Sequence, residues 1–179
     1  MDEFREQRAL NADYWSRIRD KHLADWYDLD SFRAGSCTLR SVEVEALGDV
    51  TGKRLLHLQC NCGLDTLSWA RRGAIVTGVD LSDRSVELAR RLASEEGIEA
   101  RFVHSDVMDL NEALPETFDI VFTSYGVLAW LPDLEAWGRT IARHLRPGGT
   151  FLIVDMHPFS HIFDDEHSFA LNCSRIIHK

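Results

Sequence analysis

Two carboxylates and a glycine-poor turn are the residues of this chain best suited to chemistry. Asp80 closes the apolar run "AIVTGVD" (74–80), seventeen positions after Gly63. There a carboxylate can accept hydrogen bonds from both hydroxyls of a ribose. Asp106, in "HSDVMDL", follows a second apolar run, where it can accept from an exocyclic amine while the Val107 backbone reads a ring. Either acid alone could equally cap a loop; the pair points to a nucleoside. The turn before them, His57-Leu58-Gln59-Cys60-Asn61-Cys62-Gly63, has only Gly63 to let the backbone approach a ligand closely. A dinucleotide fingerprint needs GxGxxG for pyrophosphate approach and helix packing, so NAD and FAD are disfavoured. Asp65, at the start of the following helix, suits the positive end of the helix dipole and would repel phosphate. The set describes a site for an adenosine without a pyrophosphate, carrying a cationic or zwitterionic group.

If a proton must be removed, His157 is the first candidate, because its ordinary pKa lies near neutrality and it follows a strand end. Tyr125 is the second. A blander role for His157 is to fix the turn before Pro158. His57, Cys60 and Cys62 lack a fourth zinc ligand and leave a strand in different directions, so small side chains filling a turn are preferred there. The stretch "HPFSHIFDDEH" (157–167) carries His157, His161, Asp164 and His167, and reads as a polar exit loop before it reads as a metal site. No metal is expected. The four cysteines have no paired spacing, so disulfides are not expected either.

Short apolar runs alternating with helical periodicity position these residues. Strands are predicted at 54–58, 74–80, 100–105, 118–124 and 150–156. Between them lie "LDTLSWARR" closed by Gly73, "SDRSVELARRLASEEG" opened by Ser82 and closed by Gly97, and "DLEAWGRTIARHL" closed by "RPGG". Strands so uniformly apolar are covered on both faces, as in a doubly wound α/β sheet whose ligands bind beyond the carboxyl ends of the strands. Residues 1–52 form a helical arm, 53–157 the α/β core and 158–179 a tail. In the arm, Leu10, Tyr14, Trp15, Ile18 and Leu23 recur at approximately helical spacing. Trp26, Tyr27 and Phe32 follow, and a helix whose aromatic face packs on the core is the plainer account. The sharper one makes the arm a lid whose Tyr14, Trp15, Tyr27 and Arg33 close over the ligand.

The chain has 179 residues, 45% hydrophobic and 27% charged, which suits one globular domain with a genuine core. Its net charge of −9 works against sustained binding to nucleic acid. The charged start "MDEFREQR" and the lack of a long apolar run suggest neither signal peptide nor membrane span, and hence a cytoplasmic protein. A small molecule is the expected partner.

Residues 53–157 resemble the class I S-adenosylmethionine-dependent methyltransferases, in their small-molecule branch. The likeness is carried by "HLQCNCGLDTLSWARRGAIVTGVDLS" and "LRPGGTFLIVD". Where the wider family ends its first strand in an acid followed by GxGxG, this chain has His57, Gln59, Asn61 and Gly63. Asn61 also replaces the histidine expected in this branch.

The resemblance implies a Rossmann-like sheet of order 3-2-1-4-5, with S-adenosylmethionine as cofactor. Leu58, Gln59, Cys60, Asn61 and Gly63 would hold its methionine part, with His57 alongside. Asp80 would take the ribose. Leu81, Asp106 and Val107 would take the adenine, with Ser82 beside them. Ser124 and Tyr125 would face the methionine portion and the acceptor. "TSYG" lacks the NPPY-type loop used to methylate adenine or glutamine nitrogens, which again favours a small acceptor.

The family's usual sixth and seventh strands have little chain left to form them, so they are expected to be shortened or missing. Strand five would then be an edge too apolar to lie bare, and a homodimer through it and the tail is expected. Two other readings stand beside the enzyme. One is a shortened, non-catalytic binding or interaction domain of the same fold. The other, less favoured, is an NAD-dependent oxidoreductase.

Overall fold

A computed structural model describes residues 4–156 of the chain. Three helices come first: α1 (Arg5–Trp26), α2 (Leu29–Arg33) and α3 (Ser41–Leu47). Five strands follow: β1 (Arg54–Leu58), β2 (Ile75–Asp80), β3 (Arg101–His104), β4 (Phe118–Ser124) and β5 (Leu145–Val154). The helices α4 (Leu64–Arg71), α5 (Asp83–Glu95), α6 (Leu110–Ala113) and α7 (Leu134–His144) connect them in turn. Every pairing is parallel and the order is β3-β2-β1-β4-β5, as the resemblance implies.

Side-chain alternation explains why the strands read as continuous apolar runs. Leu56, Leu58 and Val121 pack with Trp137 and Ile141 of α7 on one face. Leu55, Ile120 and Phe122 meet Trp69 of α4 on the other. Covering both faces leaves no polar side to the sheet's centre. Each such leucine or phenylalanine contributes about 1.5–3 kcal/mol by leaving water. The helix openers behave as their residue types require: Ser82 Oγ accepts from Ser85 N (3.2 Å) and Asp133 accepts from Ala136 N (2.8 Å).

Two elements differ from the sequence reading. Strand five begins at Leu145, with "RPGG" inside it. Phe118 pairs with Leu145 and Ile120 with Thr150, so two steps along β4 oppose five along β5. The surplus bulges outward through Gly148 (φ +77°), and Arg146 pairs with Asp119 at 2.6 Å.

The second difference is the arm. The arm packs on the core only in part: no residue of α1 is buried and Leu10 is 63% exposed, while Leu23, Tyr27 and Phe32 belong to the cluster between α4 and α5. Leu23 is the residue of α1 that packs, partly buried, against the apolar cluster there. Ring contacts and polar contacts hold the helix: Tyr14 stacks on Trp130 at 5.2 Å and Trp15 meets the same ring at 5.1 Å. Arg8 pairs with Asp106 (3.0 Å) and Asp109 (3.2 Å), and Asn11 Nδ2 donates to Trp130 O (3.0 Å). Ser16 Oγ meets Ser82 Oγ at 2.9 Å. These attachments stretch α1 across the carboxyl ends of the strands. His157 and the tail lie outside the described residues, as does the histidine cluster that follows.

Candidate functional site

A chamber of about 940 Å³ opens beyond the carboxyl ends of β1, β2 and β4 and is roofed by α1. Asp80 stands on its floor, 8% exposed. Its carboxylate accepts from Asn61 N (2.7 Å) and Ser82 N (2.9 Å), so it also ties the β1 turn to the start of α5. Burial pushes the Asp80 pKa up, and those backbone donors oppose the rise.

The turn resolves the question of its missing glycines. Gln59 (φ +53°) and Asn61 (φ +48°) adopt the left-handed backbone that glycine usually supplies, and Gly63 (φ +78°) does so too. Asparagine tolerates this region; glutamine there costs about 1–3 kcal/mol, the kind of strain that persists where a site needs the shape. Asn61 Oδ1 accepts from Cys62 N at 2.7 Å, which holds the conformation. Gln59, Cys60 and Asn61 line the chamber.

Gly63 serves a different purpose from the one expected. A Cβ there would lie 2.7 Å from Phe102 and 2.8 Å from Ala89, so the glycine lets α4 approach the core and does not itself border the chamber. Leu58 is likewise a core residue, and its carbonyl accepts from Thr123 Oγ1 at 3.1 Å. Ser82 is fully buried as the cap of α5. Arg33 points away and pairs with Glu95 at 3.1 Å. These four expected site residues therefore support the chamber or lie outside it.

The others are gathered. His57 is buried, with Nδ1 2.8 Å from Thr66 Oγ1, while Nε2 has no partner among the described residues. Desolvation lowers its pKa to about 3, so the ring is neutral. Burial pushes the Cys62 thiol up to about 12 and Cys60 far above its ordinary value, leaving both unreactive. Among the described residues no three potential metal ligands are grouped. Leu81, Asp106 and Val107, expected near an adenine, line the chamber, and Asp106 pairs with Arg8 and accepts from Met108 N at 2.9 Å.

Ser124 and Tyr125 line the wall beyond β4. Tyr125 has φ +48°, donates its N–H to Val154 O (2.7 Å), and lies under the Arg40 guanidinium, 4.5 Å from the ring centroid. Asp155 pins this loop by accepting from Gly126 N and Leu128 N. Burial and the neighbouring Glu43 push the Tyr125 phenol up to about 12. Tyr14, Trp15 and Tyr27 reach the chamber as a lid would require. Tyr27 Oη donates to Asp65 (3.1 Å), and Thr38 Oγ1 donates to the same carboxylate (2.5 Å).

Several lining residues escaped the sequence reading: Arg8, Asn11, His22, Arg40 and Trp130. Arg8, Asn11, Trp15, Ile18 and His22 recur every three or four positions, a single helix face that is polar and aromatic where a core face would be aliphatic. That spacing was the available signal.

Residues 55–149 match the family model described as a methyltransferase domain. The chain belongs to that family. A ubiquinone biosynthesis O-methyltransferase of Aeromonas salmonicida (strain A449) is 36% identical over 106 residues, 59% of this chain and 44% of that protein. The glycopeptide N-methyltransferase MtfA, solved with S-adenosylmethionine, is 25% identical with a TM-score of 0.55, over 63% of this chain and 50% of that one. A DhpI–SAH complex shares the fold over 87% of this chain and 71% of that one, at 22% identity and a TM-score of 0.64. The chain spans 44% and 63% of the length of two curated relatives it matches. No helix among the described residues is long and apolar enough to cross a membrane.

Proposed function

We propose that this chain binds S-adenosylmethionine and transfers its methyl group to a small-molecule acceptor. The observation that carries the reading is Asp80, a buried strand-end carboxylate facing a chamber behind a turn of left-handed backbone. The donor set fits the cofactor. Asp80 keeps lone pairs for ribose hydroxyls, and Leu81 and Val107 offer apolar surface to a purine. Arg40 faces the chamber without a salt bridge among the described residues, and suits an amino-acid carboxylate. Asp65 is the complementary acid for an ammonium group. When bound, the cofactor supplies an electrophilic methyl on a sulfonium. The chain's part is to exclude water, orient the acceptor and move a proton where one must leave. The O- and N-methyltransferases among its relatives support the same reading.

Calorimetry with S-adenosylmethionine and S-adenosylhomocysteine tests it. Both should bind, NADH should not, and Asp80→Asn should weaken binding about 10–100-fold, as loss of a charge-assisted ribose contact requires. Failure of both ligands to bind defeats the proposal. Binding without methyl transfer to a metabolite extract would favour the non-catalytic interaction domain instead.

The acidic net charge supports a partner other than nucleic acid. We also propose a homodimer through β5, whose outer edge has no strand partner among the described residues. Light scattering that gives a monomer at high concentration would refute it.

A further inference from the structure

We infer that Asp155 is a positioning residue for methyl transfer: its carboxylate holds the loop after β4 in the shape that forms the acceptor side of the chamber, apart from the cofactor side. The inference rests on the methyl-transfer reading above. Asp155 directly follows β5. Its Oδ1 accepts from Gly126 N and from Met156 N (2.7 Å), and its Oδ2 accepts from Leu128 N (3.2 Å). Three backbone N–H groups from two segments therefore converge on one carboxylate.

The backbone of the loop explains why a carboxylate is needed. Tyr125 (φ +48°) and Gly126 (φ +76°) both have positive φ, and Val127 returns to the right-handed region (φ −78°, ψ −35°). Such a reversal turns nearby N–H groups to the same side and makes a concavity for an anion. Here the anion is a side chain of the protein itself. Tyrosine is disfavoured at positive φ, so the loop relaxes toward ordinary backbone once that anion is gone.

What the loop carries makes its shape matter. Ser124, Tyr125, Gly126 and Val127 line the chamber, and Met156 lines it beside them. A Cβ on Gly126 would lie 3.2 Å from Met156 Cε, so the two segments are closely packed. From Leu128 the chain passes through the short 3₁₀ turn Leu128–Trp130. The Trp130 ring stacks on Tyr14 at 5.2 Å, and the Trp130 carbonyl accepts from Asn11 Nδ2 at 3.0 Å. The wall beyond β4 and the seat of the roof thus share one anchor.

The opposite half of the chamber has another. Asp80 accepts from Asn61 N and Ser82 N, in the β1 turn and at the start of α5, and shares no donor with Asp155 among the described residues. Arg40 is attached through α3 and not through the β4 loop. Each half therefore answers to its own acid: Asp80 to binding of the methyl donor, Asp155 to how the acceptor meets it. Orientation of this kind weighs heavily on rate, since a displacement of about 1 Å can cost about a hundredfold.

The test uses the full chain with Asp155→Ala and Asp155→Asn. Methyl transfer from labelled S-adenosylmethionine to a metabolite extract, at saturating cofactor, should fall about 10²-fold in Asp155→Ala, while S-adenosylhomocysteine affinity by calorimetry stays within about threefold of the wild type. Asp155→Asn keeps one acceptor oxygen and should fall only about tenfold. Independently of turnover, the amides of Gly126 and Leu128 should exchange about tenfold faster or more in Asp155→Ala, with those of Asn61 and Ser82 at the wild-type rate. Unchanged turnover, unchanged exchange at Gly126 and Leu128, or S-adenosylhomocysteine affinity that falls in step with turnover overturns the inference. A wild type that binds S-adenosylhomocysteine and transfers nothing overturns it as well. A wild type that does not bind S-adenosylhomocysteine defeats the methyltransferase reading itself, which distinguishes the two failures.

Discussion

The imidazole of His57 is locked 2.8 Å from the hydroxyl of Thr66, at the floor of the chamber and out of reach of water. The ring is held neutral there, and stability should record it. The unfolded state takes up a proton at this histidine below about pH 6.5, whereas the folded state resists until about pH 3. The stabilisation is present above pH 6.5 and is lost as the pH falls toward 3, at about 1.4 kcal/mol per unit. Urea unfolding between these pH values should give a flatter dependence in His57→Gln than in the wild type. Asp65 and Asp80, whose pKa values burial raises, act in the opposite sense in both proteins and drop out of the difference. Parallel curves would mean that the ring is not held neutral.

Gly63 should tolerate no side chain. Its φ of +78° and the 2.7–2.8 Å approach of Phe102 and Ala89 act together in Gly63→Ala, which should lose about 3 kcal/mol or more by urea denaturation. A loss below 1 kcal/mol would show that α4 can shift to make room.

Arg8 should govern how firmly the arm sits. Its pairs with Asp106 and Asp109 are charged contacts of the attachment, and no residue of α1 is buried to compensate for their removal. In Arg8→Ala, amide hydrogens of residues 5–26 should exchange at least tenfold faster while those of β1 and β4 keep their protection. Uniform acceleration would instead indicate global destabilisation.

Arg40 should matter to ligand affinity more than to folding. Its guanidinium lies over the Tyr125 ring, which either Gln or Lys can partly replace as packing, but Gln brings no charge. Arg40→Gln should weaken S-adenosylhomocysteine binding about tenfold or more by calorimetry, with little change in melting temperature. Equal affinity would remove Arg40 from the carboxylate subsite.

Much of the core was legible because its physics is local. A strand buried on both faces must be apolar throughout, so "LLHL" and "IVFT" announced themselves, and Ser82 and Asp133 marked helix starts through hydroxyl and carboxylate caps. Asp80 was legible for the same reason, as an acid ending such a strand. Contacts distant in sequence were not. Nothing around Arg8 foretells a bond to Asp106, and nothing around Gly63 distinguishes a glycine needed by Phe102 from one needed by a ligand. The "RPGG" bulge was hidden because proline and glycine report a departure from regular backbone without saying whether the strand resumes on the same partner. Arg33 was misassigned because an arginine near the arm's end is as able to pair on the outer surface as to reach inward.

A helix fastened in part by ion pairs and hydroxyls, with none of its residues buried, sits on a partly ionic seat. Its hold should therefore answer to dissolved salt, since screening weakens partly exposed charge pairs and leaves the ring contacts to Trp130 in place. Amide exchange along residues 5–26 should then be quicker in brine than in dilute buffer.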